Sequence, residues 1–369
     1  MPREGDLVVS IEAREGRVTR ADARREQARS LDELITGRPA REAAMLVRSA
    51  FKTCGMCHAV AAHVAVEAAR DDLRASRHDI RERRIIGETL AHHGWRLFID
   101  IPRLSGEEVP TEIGPEQRQA LNAFIHPGEG DAEAAARTML EWAERVVLGG
   151  TPQEFLAMKT LADLDHWMRP GKSTAAILFA KLIDEEPGLG ANDVETMPPA
   201  SDSIVASLAA RLEGDDGFND RPELEGKPRE TGPLSRQAGH PLTAAAVKAW
   251  GKGFGARAVA RMVEMASLLS SLSGVDGKRH GVVRIGPGHA VGWAEAGTGL
   301  AVHCARVENE HIKSYRALLP ADWNFAPDGP FVRGTSDIGG DDTVIDHRVR
   351  RLVASLDPGV SVRLKRGDA

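Results

Sequence analysis

The segment Lys52-Thr53-Cys54-Gly55-Met56-Cys57 lies between two stretches of helical apolar periodicity and holds two of the chain's three cysteines. The third, Cys304, is far away in the sequence, and an odd number argues against a disulfide framework. Two thiolates in a C-x-x-C spacing can chelate one soft or borderline metal ion. Their position near the start of a helix is expected to favour the thiolate form. This pair is therefore the first candidate in the sequence for a chemical function.

The C-x-x-C spacing alone leaves several interpretations open. A thioredoxin-like redox pair needs an alternating strand–helix–strand context, which the surrounding pattern does not predict. A zinc site needs two further ligands, for which His58 and His63 are the nearby candidates. Inert packing cysteines and half of a more specialised metal site are the remaining alternatives.

Composition limits the class of protein. The chain has 369 residues, of which 42% are hydrophobic and 28% charged, with a net charge of -6. Basic residues are scattered, so no nucleic-acid footprint is expected. No apolar run reaches the roughly 18–20 residues that cross a bilayer. The N-terminus is polar and lacks the apolar core of a signal peptide, which predicts a cytoplasmic protein without membrane insertion.

Apolar periodicity predicts a mainly α protein of the α+β class, folded as one domain over residues 1–369. A hairpin is expected over residues 7–18 and short strands between 281 and 319. Residues 186–240 are rich in Pro, Gly and Asp, and predict a long irregular connection. The predicted helices cover residues 30–53 in two pieces, 58–75, 79–99, 115–125, 131–147, 174–185, 242–272 and 341–355.

Several motifs, taken in order, resemble those of nickel–iron hydrogenase large subunits. Lys52–Cys57 resembles the first metal-binding motif of that family, R-x-C-G-x-C-x-x-x-H. The other matching segments are Arg29–Pro39, Glu230–Arg236 for E-x-G-P-L-A-R, Gly299–His303, Ile312–Tyr315, Pro320–Asn324, Ser355–Pro358 for the start of D-P-C-x-x-C-x-x-H and, more weakly, Arg3–Asp6. The resemblance implies a trimmed large-subunit fold with small β hairpins near both ends.

Departures from the family pattern are concentrated among its metal ligands. The cysteines of the second motif are replaced by Gly359 and Val362, which have no ligand atom, so the four-thiolate site cannot form. The His of the first motif falls on Ala61, and the metal-proximal Arg falls on Thr298. Lys52 replaces an Arg and keeps the charge but not the planar fork. A catalytic hydrogenase is therefore not expected.

The pattern resembles the hydrogenase expression/formation proteins of the HupK/HoxV type. That resemblance implies a non-catalytic scaffold that holds iron with its cyanide and carbon monoxide ligands transiently through Cys54 and Cys57, without nickel. The implied partners are maturation chaperones, the immature large subunit and, as a third candidate, the hydrogenase small subunit. The alternative is an assembly chaperone that mimics the large subunit and never binds metal.

The remaining candidate residues have simpler interpretations. The neighbouring pair His92-His93 cannot share one helix face, which favours packing roles. His58 and His63 are expected to pack or to face solvent, and Cys304 to be a small buried residue. Gly171-Lys172-Ser173-Thr174 lacks the first Gly of a phosphate-binding loop and a preceding strand. Trp323-Asn324 is expected to be a structural anchor.

Overall fold

The structure is a computed structural model that describes residues 5–26, 30–73, 78–108, 113–125, 132–169, 171–272 and 278–367. The N-terminal motif Arg3–Asp6 therefore lies partly outside the described residues. Among the described residues, no helix is both long and apolar enough to cross a bilayer.

Strands form a three-stranded sheet, a four-stranded sheet and a short pair. They are β1 (Leu7–Arg14), β2 (Arg17–Arg25), β3 (Glu195–Thr196), β4 (Arg229–Glu230), β5 (His280–Gly286), β6 (His289–Ala296), β7 (Gly299–Glu308), β8 (His311–Leu318) and β9 (Val362–Arg366). The predicted hairpin is β1–β2, and β5 to β8 form an antiparallel meander. The parallel pairing of β9 with β1 was not predicted, and it joins the two ends of the chain.

Helices make up most of the remaining structure. They are α1 (Leu31–Ile35), α2 (Ala43–Ala50), α3 (Gly55–Ala69), α4 (His78–Trp95), α5 (Ile101–Leu104), α6 (Gly114–Ile125), α7 (Ala132–Trp142), α8 (Pro152–Leu156), α9 (Leu161–Met168), α10 (Thr174–Asp184), α11 (Asp202–Gly214), α12 (Pro233–Arg236), α13 (Pro241–Trp250), α14 (Phe254–Ser270), α15 (Pro320–Asn324), α16 (Pro330–Gly334) and α17 (Asp342–Leu356). π-helical turns extend α4 over Arg96–Asp100 and α7 over Ala143–Leu148. The mainly α architecture with β elements near both ends is confirmed.

Two predictions about secondary structure were wrong. The supposedly irregular segment 186–240 contains the thirteen-residue helix α11 and the strands β3 and β4. The single helix predicted over 242–272 is two helices, α13 and α14. They are separated at Gly251, whose φ of +63° is a left-handed conformation that a continuous helix does not contain.

The core is built around helices that are apolar on nearly every side. Almost every residue of α14 is buried, and its side chains join the largest apolar cluster. α3 is buried to a similar degree and packs on the meander through small residues. At Gly292 in β6, an added Cβ would lie only 2.1 Å from the carbonyl oxygen of Ala61. The sheet therefore contacts α3 backbone to backbone, which brings the start of α3 against the ends of β6 and β7.

Candidate metal centre

The two cysteines lie at the start of α3, inside the protein. Cys54 is the N-cap residue and is 4% exposed, whereas Cys57 is fully buried. Cys54 has a φ of +55° and a ψ of +20°, a left-handed conformation that costs a non-glycine residue about 1–2 kcal/mol. Strained residues of this kind cluster at functional sites. The conformation of Cys54 therefore independently indicates a functional position.

Glu88, from α4, caps the helix that carries the cysteines. Its carboxylate accepts hydrogen bonds from the backbone N–H groups of Met56 and Cys57, at 2.8 and 2.7 Å. These are the free donors at the positive end of α3, so their field is directed at a carboxylate rather than at the thiols.

The expectation that the helix terminus would favour thiolates was therefore wrong for the unligated protein. Burial raises the pKa of the Cys54 thiol, and the Glu88 and Asp357 carboxylates raise it further. Burial is also the largest cause of the raised pKa of the Cys57 thiol, and the charges of Glu88 and Cys54 raise that pKa further. Both groups are neutral thiols at pH 7, so a metal must displace their protons when it binds.

The remnant of the second motif lies against the first, as the resemblance implied. The hydroxyl of Thr53 donates a hydrogen bond to the carbonyl oxygen of Gly359. A Cβ added at Gly359 would lie 3.3 Å from Thr53 Oγ1 and 3.4 Å from Thr298 Cγ2. Val362 is elsewhere: it begins β9, pairs with Leu7 and lines a separate apolar cavity of about 200 Å³. Neither position of the second motif supplies a ligand, because Gly359 has no side chain and Val362 is an apolar residue in a strand.

Asp357 anchors the second motif through buried charges. One carboxylate oxygen accepts from His92 Nε2 at 2.6 Å and Arg261 Nη2 at 3.3 Å, and the other from Arg96 Nη2 at 2.8 Å. Burial by itself raises the pKa of Asp357, but Arg96, His92 and Arg261 outweigh it and hold the pKa well below its usual range. The carboxylate is therefore charged and positions the turn that carries Gly359.

The Glu230–Arg236 motif supplies three further ion pairs that are largely shielded from solvent. Glu230 binds Arg257 with both oxygens, at 2.7 and 2.9 Å. Arg236 binds Glu264 with two bonds of 2.6 and 2.7 Å, and Glu295 with a bond of 3.0 Å. Burial by itself raises the pKa of Glu264, but Arg236 outweighs it and lowers that pKa. The charged side chains of Glu230 and Arg236 are thus paired with charges of opposite sign inside the protein.

Asn324 joins three of the motifs. Its side-chain oxygen accepts from the N–H of Thr231 at 3.0 Å, and its amide donates to the carbonyls of Thr231 and Leu356, at 2.9 and 3.1 Å. Trp323 beside it is 1% exposed. The prediction that Trp323-Asn324 is a structural anchor is confirmed.

A chain of hydrogen bonds between aromatic rings adjoins Cys54. His58 Nδ1 lies 3.0 Å from His303 Nε2, and His303 Nδ1 lies 2.8 Å from the hydroxyl of Tyr315. The ring of His58 also stacks on Phe51, with 3.8 Å between centroids. Burial lowers the pKa of His303 to about 3, and burial followed by the charge of His303 lowers that of His58 well below 6.5. Both rings are therefore neutral in the fold, in agreement with a packing role.

Thr298, the residue that the resemblance aligns with the family's metal-proximal Arg, lies beside the cysteine pair. Its hydroxyl lies 4.0 Å from Cys54 Sγ. Thr298 carries no charge at this position, whereas an Arg would place a cation beside the thiols.

The cleft that contains Cys54 is narrow and leads to a larger cavity. Its volume is about 10 Å³, room for about one water molecule. Arg25, Phe51, Leu319 and Ala321 line both this cleft and a neighbouring cavity of about 870 Å³. These four residues therefore lie between the cysteine site and the large cavity, which we call the vestibule.

Glu88 was not named from the sequence, although it lies at the site. His92, four residues later on the same face of α4, was named and expected to pack, and it binds Asp357. His93 binds Glu264 at 2.8 Å, so the two neighbouring histidines take different partners, as packing roles predict. His63 lies away from the cysteines and pairs with Glu67 at 2.7 Å, and Cys304 is buried in β7.

The fold and the site together define a class of protein. The structure superposes on the nickel–iron–selenium hydrogenase of D. vulgaris Hildenborough with a TM-score of 0.61 and 16% identity, over 97% of both chains. The chain thus has the fold of the nickel–iron hydrogenase large subunit, as predicted.

Two sequence relatives are similar to the chain over most of its length. The chain is 29% identical to the hydrogenase expression/formation protein HoxV of Cupriavidus necator, over 89% of this chain and 88% of that protein. It is 28% identical to the hydrogenase expression/formation protein HupK of Rhizobium leguminosarum bv. viciae, over 91% and 90%. No family model matches the chain. The chain therefore has the large-subunit fold and is similar to the HoxV and HupK proteins, and the predicted resemblance is confirmed.

Proposed function

We propose that this protein is a hydrogenase maturation factor, a non-catalytic scaffold that holds the iron–cyanide–carbon monoxide unit for delivery to a nickel–iron hydrogenase large subunit. Cys54 and Cys57 are the ligands in this proposal. The relatives named as expression/formation proteins support the maturation role. The partners proposed are maturation chaperones and the immature large subunit.

The retention of one cysteine pair beside the emptied second motif is the observation that carries the proposal. Gly359, which the resemblance aligns with a further cysteine, lies against Thr53 and Thr298, and Thr298 gives the cleft an uncharged hydroxyl. Two thiolates suit a soft metal fragment. With half the usual thiolates, the bound iron keeps open positions and is released more readily. A carrier requires that property, whereas a catalyst requires permanent retention.

Infrared spectroscopy tests the cargo directly. The protein is purified without oxygen from cells that express the maturation machinery, together with Cys57→Ser and, as a matched control, Cys304→Ser. We expect cyanide and carbon monoxide stretching bands in the wild type and the Cys304 variant, and none in the Cys57 variant. Bands that persist in Cys57→Ser would disprove the assignment of this ligand.

The narrowness of the cleft favours a second candidate, an assembly chaperone that mimics the large subunit without metal. About 10 Å³ does not admit iron with its cyanide and carbon monoxide ligands unless the side chains between the cleft and the vestibule move apart. If the wild-type spectrum lacks the bands while complexes with maturation proteins still form, this interaction-only role is the better account.

Restoring one thiol should convert the carrier into a trap. Gly359→Cys places a third sulfur at the cleft, where a Cβ has contacts of 3.3 and 3.4 Å. The φ of +72° there costs a side chain about 1–2 kcal/mol, so Gly359→Ala is the matched control for strain. We expect stronger infrared bands and lower hydrogenase activity in cells with Gly359→Cys than with Gly359→Ala. Equal values for the two variants would contradict release from an open half-site.

A further inference from the structure

A second group of metal-ligating side chains lies at the start of α4, away from the cysteines. His78 and Glu82 are four residues apart on α4 and therefore share a face of the helix. His280, the first residue of β5, lies opposite them. One ligand atom from each residue lies within 4.8 Å of the other two. Among the described residues, this group has the composition and spacing of a metal site.

The carboxylate of Glu82 is incompletely satisfied. The side chain is fully buried, and its Oε1 accepts from the N–H of Arg279 at 2.9 Å and from His280 Nδ1 at 2.6 Å. Its Oε2 is buried and has no hydrogen-bond partner among the described residues. A buried carboxylate oxygen without a partner costs at least about 1–3 kcal/mol. A cation bound at Oε2 would remove that cost.

We infer that His78, Glu82 and His280 form a second site, for a divalent transition-metal ion of the Zn²⁺ type. Two imidazoles and one carboxylate are a common ligand set for such ions and leave a fourth position open. Zinc bonds of about 2.0–2.2 Å in a tetrahedral site place ligand atoms about 3.4 Å apart, so any pair near the 4.8 Å limit of this group must move closer when the ion binds. His78 can make that movement, since it is only half-buried and begins its helix.

A bound ion would strengthen the connection between two elements that Glu82 already joins by hydrogen bonds. His78 and Glu82 lie on α4, the helix that also carries Glu88, and His280 begins the meander that supports α3. A bound ion would therefore fix the helix whose carboxylate caps the cysteine loop. This inference does not depend on iron binding at Cys54 and Cys57.

Zinc binding by full-length protein with both cysteines changed to serine isolates the second site. In this Cys54→Ser/Cys57→Ser background we expect one equivalent of Zn²⁺ by equilibrium dialysis and a raised melting temperature on its addition. Adding His78→Ala or Glu82→Gln should weaken binding about 100-fold. Residues that only support metal ligands typically cost about 10–100-fold in affinity when they are changed, and removal of a ligand itself should reach the upper end of that range. His311→Ala, at an exposed strand end, is the control and should bind as the background does.

Two results would overturn the inference. One is a background protein, folded by circular dichroism, that binds no Zn²⁺. The other is a folded His78→Ala or Glu82→Gln protein that binds as tightly as His311→Ala. Since Cys54 and Cys57 are replaced in every variant of this experiment, neither result bears on the iron-scaffold proposal.

Discussion

Replacing Asp357 by Ala will destabilise the fold by about 3–5 kcal/mol, the usual cost of removing one partner from a buried ion pair. The Asp357 side chain is fully buried, and it is the acceptor for Arg96, Arg261 and His92. Its loss leaves two guanidinium groups and an imidazole inside the protein with fewer acceptors. Urea unfolding at pH 7 measures the change.

An exposed carboxylate provides the matched control. Asp346 pairs with Arg366 at 2.8 Å, but both side chains are about a third exposed. Exposed pairs contribute about 0–1 kcal/mol, so Asp346→Ala should alter the free energy of unfolding by no more than that. If Asp357→Ala loses as little as Asp346→Ala, the buried network does not hold the second motif in place.

The juxtaposition of distant motifs was predictable because the resemblance supplied their order and the fold class. Thr53 and Gly359 are separated by most of the chain, yet they share a hydrogen bond. Residue periodicity alone contains no such information. It predicted most of the longer helices and the short strands between 281 and 319, where local apolar spacing determines which face is buried.

The errors have local physical causes. In α11 the buried residues Val205, Leu208, Ala209 and Leu212 follow a helical spacing after the N-cap Ser201, but the Pro and Gly of the surrounding segment obscured it. The alternation of Val362–Arg366 is typical of a strand, but the resemblance assigned its first residue to a metal motif.

Glu88 illustrates a limit of sequence reasoning. Its hydrogen bonds run to N–H groups more than thirty residues earlier in the chain. A capping residue from another helix leaves no signature in local sequence, unlike the Ser or Thr of an ordinary N-cap. The Glu88 carboxylate raises the pKa of both thiols and so helps to keep them protonated. The expectation of thiolates at the helix start could therefore not be corrected without the structure.

Acidification from pH 7 to pH 5 will cost the fold about 2 kcal/mol for each of His58 and His303. Both pKa values are lowered by burial, that of His303 to about 3, so the folded protein keeps both rings neutral at pH 5. The unfolded chain, with histidine pKa values near 6.5, takes up a proton on each. Stability is therefore full above about pH 6.5 and falls as the pH decreases towards the folded pKa values. His93, with a pKa of about 4, adds a loss of the same sign.

Urea unfolding at pH 7, 6 and 5 measures this dependence, and His303→Gln identifies its source. The glutamine can still hydrogen-bond His58 and Tyr315 but does not titrate, so about 2 kcal/mol of the pH-dependent loss should disappear. His311→Ala, at an exposed position, should leave the dependence unchanged. Asp357 does not confuse the interpretation, since its pKa is held well below this range. If stability is equal at pH 7 and pH 5, or if His303→Gln keeps the full dependence, the neutral histidine pair beside Cys54 is not what limits stability in acid.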